Sequence, residues 1–248
     1  MELMPHIKLS KSDTAPFALL PGDPARIDRI AAFFDDAREL AYNREFRSLS
    51  GTYQGIPVLA VSTGLGGPSA ATVVEELASI GVRYFIRIGS CGALQKEIKT
   101  GELILVNAAI RHDGTSKAYA DLSYPAVADY ALLKACETEA RELEIPFHIG
   151  LCRSHDSLYV PEKRSMDVLC SSMGALGSDM ETAAVFVSAA LKGLHAASIL
   201  NTVVEYQDDL SKNINQYTDG EALTAKGEQN EILTALNAFV RINQTFNL

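Results

Sequence analysis

A strand-like apolar run that breaks into a glycine turn beside an arginine occurs twice in this chain, and few folds accommodate both. Phe17-Ala18-Leu19-Leu20 leads into Gly22-Asp23-Pro24-Ala25-Arg26, and Tyr84-Phe85-Ile86 leads into Arg87-Ile88-Gly89-Ser90-Cys91-Gly92. Glycine lets backbone approach a ligand closely, and the freed N–H groups of a strand-to-helix turn bind anions. Arg26 and Arg87 add fork-shaped, permanently charged donors that match phosphate oxygens. Two such turns in one α/β domain suggest a single phosphate pocket.

The rest of the sequence alternates in the same manner. Helical patterns are predicted over 24–34, 68–80, 125–143, 180–192 and 219–239, and strands over 57–61, 83–88, 103–109, 147–152 and 195–204. On 68–80 the residues Ala70, Val73, Val74, Leu77 and Ile80 share one face. Strands alternating with helices imply a mostly parallel sheet covered on both faces, with ligands beyond the carboxyl ends of the strands. The predicted fold is therefore a single three-layer α/β/α domain over 1–248, with a central mixed, largely parallel twisted sheet. A chain of 248 residues can bury one such core. Its net charge of −9 argues against a nucleic-acid partner. Cys91, Cys136, Cys152 and Cys170 are far apart and form no C-x-x-C, which fits a reduced, cytoplasmic chain. Residues 1–13 lack the basic and apolar regions of a signal peptide. The apolar stretch 183–200 is interrupted by Lys192 and His195 and is too short and polar for a bilayer span. The expectation is a soluble protein without nucleic-acid or membrane partners.

Five separated motifs carry a resemblance. Gly22-Asp23-Pro24-Ala25-Arg26, Asn43-Arg44-Glu45-Phe46, Ser62-Thr63-Gly64-Leu65-Gly66-Gly67-Pro68-Ser69, Arg87-Ile88-Gly89-Ser90-Cys91-Gly92 and Asp179-Met180-Glu181 resemble, in order and spacing, those of the nucleoside phosphorylase-I family. That family includes uridine phosphorylases and hexameric purine nucleoside phosphorylases, and the resemblance runs from Pro5-His6-Ile7 to the last helix. It implies that phosphate is held by Gly22, Arg26, Arg87 and Ser90, with Arg44 lent by a neighbouring subunit. It also implies that ribose is held by Met180, Glu181 and Ser90, with His6 from the partner's N-terminus. The chemistry of these types suits the roles. A carboxylate accepts from two vicinal hydroxyls at once, a methionine packs on the sugar face, and clustered arginines hold a dianion against a cation developing at C1′. Arg87, Glu181 and Arg164 are the expected catalytic residues.

For the base, the resemblance points to Cys91, Gly92, Leu158, Glu162, Arg164, Asp179, Val203 and Val204. Val204 stands where hexameric purine enzymes carry the aspartate that protonates the leaving purine, and Val203-Val204 is similar to the apolar pair of uridine phosphorylases. Those enzymes read uracil with a glutamine and an arginine two residues apart, where this chain has Glu162 and Arg164. Glu162 can accept from a uracil N3–H but cannot donate to a second carbonyl. The segment 159–180 is shorter than in uridine phosphorylases and closer to the purine enzymes, and Glu205 beside Val204 is an acid within reach of a small register shift. Cys91 has no adjacent base and is read as a pocket-lining residue. Glu45, Leu65 and Ser69 match positions where uridine phosphorylases can hold a monovalent cation such as K⁺ between subunits; a turn glutamate and a helix N-terminal serine are the alternative reading.

The implied reaction is reversible phosphorolysis of a ribonucleoside, with a pyrimidine nucleoside favoured and a purine nucleoside the alternative. No organic cofactor or catalytic metal is expected, and phosphate is the co-substrate. Since Arg44 and His6 come from a neighbour, the implied minimal unit is a homodimer, assembled into a hexamer as a trimer of dimers. A nucleosidase using water, or a non-catalytic nucleoside-binding or storage protein, would have no need of Arg26, Arg44 and Arg87 together.

Overall fold

The computed structural model describes residues 2–207 and 222–247. The chain begins with β1 (Phe17–Pro21) and α1 (Arg26–Ala31), followed by a meander of β2 (Arg38–Asn43), β3 (Phe46–Tyr53) and β4 (Ile56–Val61). Then come α2 (Gly67–Ile80), β5 (Tyr84–Ala93), β6 (Leu103–His112), α3 (Gly114–Tyr119), the short β7 (Ala126–Val127), α4 (Tyr130–Glu142) and β8 (Phe147–His155). The chain continues with α5 (Lys163–Ser172), β9 (Ala175–Asp179), α6 (Thr182–Ala190) and β10 (His195–Val204), and α7 (Ala222–Phe246) closes it.

The strands form one mixed sheet in the order β10-β6-β8-β9-β5-β1-β4-β3-β2, and β10 also pairs with β5. That extra pairing closes five strands, β5, β9, β8, β6 and β10, into a ring, from which β1, β4, β3 and β2 extend the sheet. β1 lies parallel to both β4 and β5. β10 runs parallel to β5 and antiparallel to β6.

Burial on both faces explains the continuous apolar runs in the sequence. All five residues of β1 are buried, and its side chains alternate between two cores. Ala18 and Leu20 join the α2 and α6 side, with Val73, Val74, Leu77 and Phe186. Phe17 and Leu19 join the α1, α4 and α7 side, with Ile27, Ile30, Leu132, Leu236 and Phe239. The layered arrangement predicted from the alternating pattern is present.

Local chemistry moved several predicted boundaries. The helix predicted over 125–143 starts at Tyr130, because Asp129 caps it by accepting from the Leu132 N–H at 2.9 Å. The residues before it, Ala126 and Val127, pair with β6 instead. The helix predicted over 180–192 begins at Thr182, whose N–H donates to the Asp179 carboxylate at 2.9 Å. The helix predicted over 24–34 is shortened to α1 by a turn at 23–25, where Asp23 accepts from the Ala25 N–H. Of the helix predicted over 219–239, residues 219–221 lie outside the described residues, and the remainder extends to Phe246. The strands β2, β3 and β9 and the helices α3 and α5 were not anticipated.

Phe239 of α7 is fully buried with its ring 5.0 Å from that of Phe17, so it joins the closing helix to the central strand. Phe239→Ala is expected to cost about 3–5 kcal/mol. The measurement is a urea titration, in which the midpoint should fall while the slope stays constant.

Candidate active site

Both glycine loops open into one cavity of about 350 Å³, whose wall includes Gly22, Arg26, Arg87, Ser90 and Glu181 together with Gly64 and Leu65. Parallel pairing of β1 and β5 brings the loops together, because Leu20 lies opposite Arg87 and Pro21 opposite Ile88. The third loop, between β4 and α2, is stitched on by backbone bonds. Thr63 N–H donates to the Pro21 carbonyl at 2.8 Å, and Gly64 N–H to the Gly22 carbonyl at 2.9 Å. At Gly64 (φ +70°) a Cβ would lie 2.5 Å from Glu45 Cγ, and Gly66 (φ +93°) precedes the first residue of α2. Only glycine takes both conformations without strain.

Arg26 and Arg87 are almost completely buried, at 2% and 3% exposure, and each is held by carboxylates. Arg26 Nη1 lies 2.6 Å from Glu231 Oε1, its Nε lies 3.2 Å from Glu228 Oε2, and its Nη2 donates to Ser90 Oγ at 2.9 Å. Arg87 pairs through Nε with Asp179 Oδ2 at 3.0 Å and through Nη2 with Glu181 Oε2 at 2.6 Å. Its remaining nitrogen, Nη1, is buried without a hydrogen-bond partner among the described residues. A buried donor left unmade is costly, and here it belongs to a guanidinium in the wall of the cavity.

Glu181 stands at the same cavity. Its Oε1 accepts from the Gly66 N–H at 2.6 Å, which gives the third loop a role that sequence reasoning did not assign. Burial raises the Glu181 carboxyl above its ordinary range, against the pull of Arg87. Asp179 moves the other way. Burial would raise it, but Arg87 and hydrogen bonds from Ser154 and Thr182 outweigh that and hold it below the ordinary range. Ser154 Oγ donates to Asp179 Oδ1 at 2.6 Å, and Thr182 Oγ1 to Oδ2 at 2.6 Å. With that many partners, Asp179 anchors Arg87 and does not line the base side. Its expected base contact is corrected accordingly.

A second cavity of about 340 Å³ opens farther along β5 and β10, walled by Gly92, Val204, Ser178, Leu158, Arg164 and Glu205. Of the residues expected at the base, Gly92, Leu158, Arg164 and Val204 therefore share one wall. Four do not, Asp179 and three others. Glu162 is exposed one position before α5 and lies outside the wall, whereas Arg164, also exposed, lines it. Val203 is buried beside Val204 but outside this wall, because β10 bulges there and it is Val204 that pairs with Gly92. Cys91 alternates with Gly92 along β5. Its Sγ lies 3.9 Å from Thr202 Oγ1, and burial pushes its thiol up to about 12, which rules out a nucleophilic thiolate at neutral pH. Met180 is half-buried between Asp179 and Glu181.

Arg44 and His6 stand apart from both cavities. Arg44 is exposed at the tip of the β2–β3 turn with φ +58°. His6 is held by Glu76 of α2, which lies 2.6 Å from the ring Nδ1 and also accepts from the His6 and Ile7 N–H groups. Asn43, next to Arg44, donates from Nδ2 to the His6 carbonyl at 2.7 Å. The two residues expected to serve a neighbour thus share one tethered patch. Beside it, Ser69 Oγ donates to Glu45 Oε1 at 3.1 Å and also bonds the Thr63 carbonyl, while Leu65 is 75% exposed.

Glu228, Glu231 and Glu76 were not singled out from sequence. A signal existed for the first two: two acids three apart on the face of α7 that also carries Ile232, Ala235 and Phe239, a face otherwise suited to burial.

Comparison with known proteins agrees with this geometry. The family model described as phosphorylase superfamily matches residues 16–236. A uridine phosphorylase from Thermococcus kodakarensis is 47% identical over 159 residues, 64% of this chain and 57% of that relative's length. A guanosine phosphorylase from Halorubrum lacusprofundi is 39% identical over 199 residues, covering 80% of this chain and 82% of its own. The crystal structure of a uridine phosphorylase from Vibrio fischeri superposes with a TM-score of 0.91 at 39% identity, covering 97% of this chain and 98% of that one. With two arginines buried at one cavity and a family match along nearly its whole length, the chain belongs to the phosphorylase superfamily.

Proposed function

We propose that this protein is a nucleoside phosphorylase that converts a pyrimidine ribonucleoside and phosphate into free base and ribose 1-phosphate. The observation that carries the reading is Arg87, buried beside Glu181 with an Nη1 that has no partner among the described residues, next to Arg26 and Ser90 in one cavity. Phosphate sits against Gly22, Arg26, Arg87 and Ser90, and Arg44 of the partner subunit completes its ring of charge. Glu181 holds the ribose hydroxyls, and Met180 and the partner subunit's His6 close on the sugar. A phosphate oxygen bonds to C1′ as the C1′–N bond breaks, and its electron pair leaves on the base. Arg164 donates to a uracil carbonyl and stabilises the departing anion. Positioning and electrostatics supply the acceleration, without organic cofactor or catalytic metal.

The relatives support uridine, since uridine phosphorylases stand among the most similar proteins and Val204 offers no acid to a purine. One observation favours a second reading, a 6-oxopurine nucleoside such as guanosine. Glu205 lines the base cavity, held by Thr100 at 3.2 Å and Lys99 at 3.2 Å, and a carboxylate there could accept from N–H groups of such a base.

Assembly enters the same proposal. The patch of Arg44, Asn43 and His6 is flanked by exposed Tyr42 and Leu65, which suits an interface between copies of this chain, as a dimer within a hexamer. The cluster of Glu45, Ser69 and the Thr63 carbonyl offers oxygens that would suit a monovalent cation such as K⁺ once a partner subunit adds its own. Four free, buried cysteines suit a reducing cytoplasm.

The direct test is a panel of uridine, thymidine, inosine, adenosine and guanosine with and without phosphate. Uridine is expected to turn over fastest, and only with phosphate or arsenate present. Base release at the same rate without phosphate would make the protein a hydrolase, and faster guanosine would select the second reading. In the same assay Arg87→Ala should lower kcat/KM for phosphate by at least ~10²-fold, the scale of losing a positioned charge.

Sharing of the site between subunits has its own test. Chains carrying Arg44→Ala and chains carrying Glu181→Ala, each inactive alone, should recover part of the activity when mixed, because hybrid dimers contain one intact site. Mixed oligomers that form without recovered activity would disprove sharing.

A further inference from the structure

The phosphate cavity is crowded with negative charge before phosphate arrives. Arg26 and Arg87 face four buried carboxylates, Glu228 and Glu231 on α7, and Asp179 and Glu181 at and just beyond the end of β9. Arg29 of α1 also reaches Glu228 but is half exposed. With all four carboxylates ionised, an incoming dianion would meet guanidinium groups whose charge is already more than balanced. Charge of the same sign in a buried site is strongly unfavourable, so one of these carboxyls has reason to be neutral when phosphate is bound.

Glu231 is the candidate that geometry selects. It is fully buried, at 0% exposure. One oxygen, Oε1, takes Arg26 of the first loop at 2.6 Å, and the other, Oε2, accepts from the Gly89 N–H of the second loop at 3.1 Å. A single carboxyl on the closing helix therefore spans both anion-handling loops. We propose that Glu231 is a positioning residue for phosphate, joining the two glycine loops through Arg26 and the Gly89 amide, and that the enzyme takes up phosphate in the state in which this carboxyl carries a proton.

The electrostatic surroundings agree. Burial raises the Glu231 carboxyl to about 8, reinforced by Glu228 and opposed by Arg26, Arg87 and the Gly89 amide. The balance of the step is simple. One proton from solvent neutralises the Glu231 carboxylate as the phosphate dianion enters, and no covalent bond changes. Arg26 then exchanges an ionic partner for a neutral one and turns its charge to phosphate. The inference rests on the phosphorolysis reading and specifies how the phosphate side of that site is set.

The experiment measures the phosphate KM at pH 7 and pH 9 with saturating uridine, expressed as the concentration of phosphate dianion because phosphate itself ionises across this interval, in which the arginines stay charged. Binding that needs the protonated carboxyl weakens in proportion to the fraction protonated, so the wild-type KM should rise about tenfold. E231Q, uncharged throughout, should show a ratio below about twofold. A flat wild-type profile, or the same rise in E231Q, overturns the proposal. Should E231Q fail to fold, calorimetry of sulfate binding to the wild-type protein at pH 8.5, in two buffers of different ionisation heat, replaces it. Sulfate stays a dianion across this range, so any proton taken up belongs to the protein. Uptake of roughly 0.8 proton per sulfate is expected, and none overturns the proposal. Failure of the broader reading is distinguishable, since it would leave no phosphate-dependent base release at any pH.

Discussion

A guanidinium group removed from water demands carboxylates, and the pairing of Arg87 with Asp179 and Glu181 organises much of this molecule around that demand. Arg87 sits on the strand that takes part in three pairings, with β1, β9 and β10. Asp179 reaches it from the end of β9 and at the same time receives Ser154 from β8 and Thr182 from the start of α6. Glu181 reaches it from two residues later and takes the Gly66 amide from the loop before α2. One buried cation thus ties together elements from four separate parts of the chain. The sheet order and the start of α6 are the geometry in which these partners of Arg87 come together, with only its buried Nη1 left without a hydrogen-bond partner among the described residues.

The first glycine loop is arranged on the same principle with different partners. Arg26 is enclosed by acids from α7, a helix nearly two hundred residues away in sequence, so the site is complete only when the closing helix has docked. Packing of that helix is driven by apolar residues such as Ile232, Leu236 and Phe239. The acids travel with it on the same face. Core formation and assembly of the anion site are therefore one event.

The layered α/β architecture could be read from periodicity, and the two glycine turns from local motifs, because both are short-range patterns. The resemblance contributed what spacing alone does not: which arginines, which carboxylate and which terminal histidine belong together. What stayed hidden was long-range or context-dependent. β2 and β3 are half exposed with mixed character, and β9 is a short Ala-Leu-Gly-Ser-Asp run, so neither carries a strong period. The closure of the ring by β10 against β5 is a pairing that no local signal announces. Glu162 and Arg164 were paired by analogy, but of the two only Arg164 lines the cavity. Asp179 next to Glu181 read as a base contact, whereas its neighbours in space make it an anchor.

The ring of five strands also decides where this molecule can change. One wall of the base cavity, with Gly92 and Val204, belongs to β5 and β10, strands paired along most of their length within a closed cycle. The opposite wall, with Leu158 and Arg164, belongs to a loop and the first turn of a helix, attached to the ring mainly through β8 and β9. Altering the first wall would disturb every strand in the cycle, while altering the second disturbs only its own segment. Divergence toward larger or smaller bases should therefore accumulate between residues 158 and 168, leaving the chemistry of the phosphate side untouched.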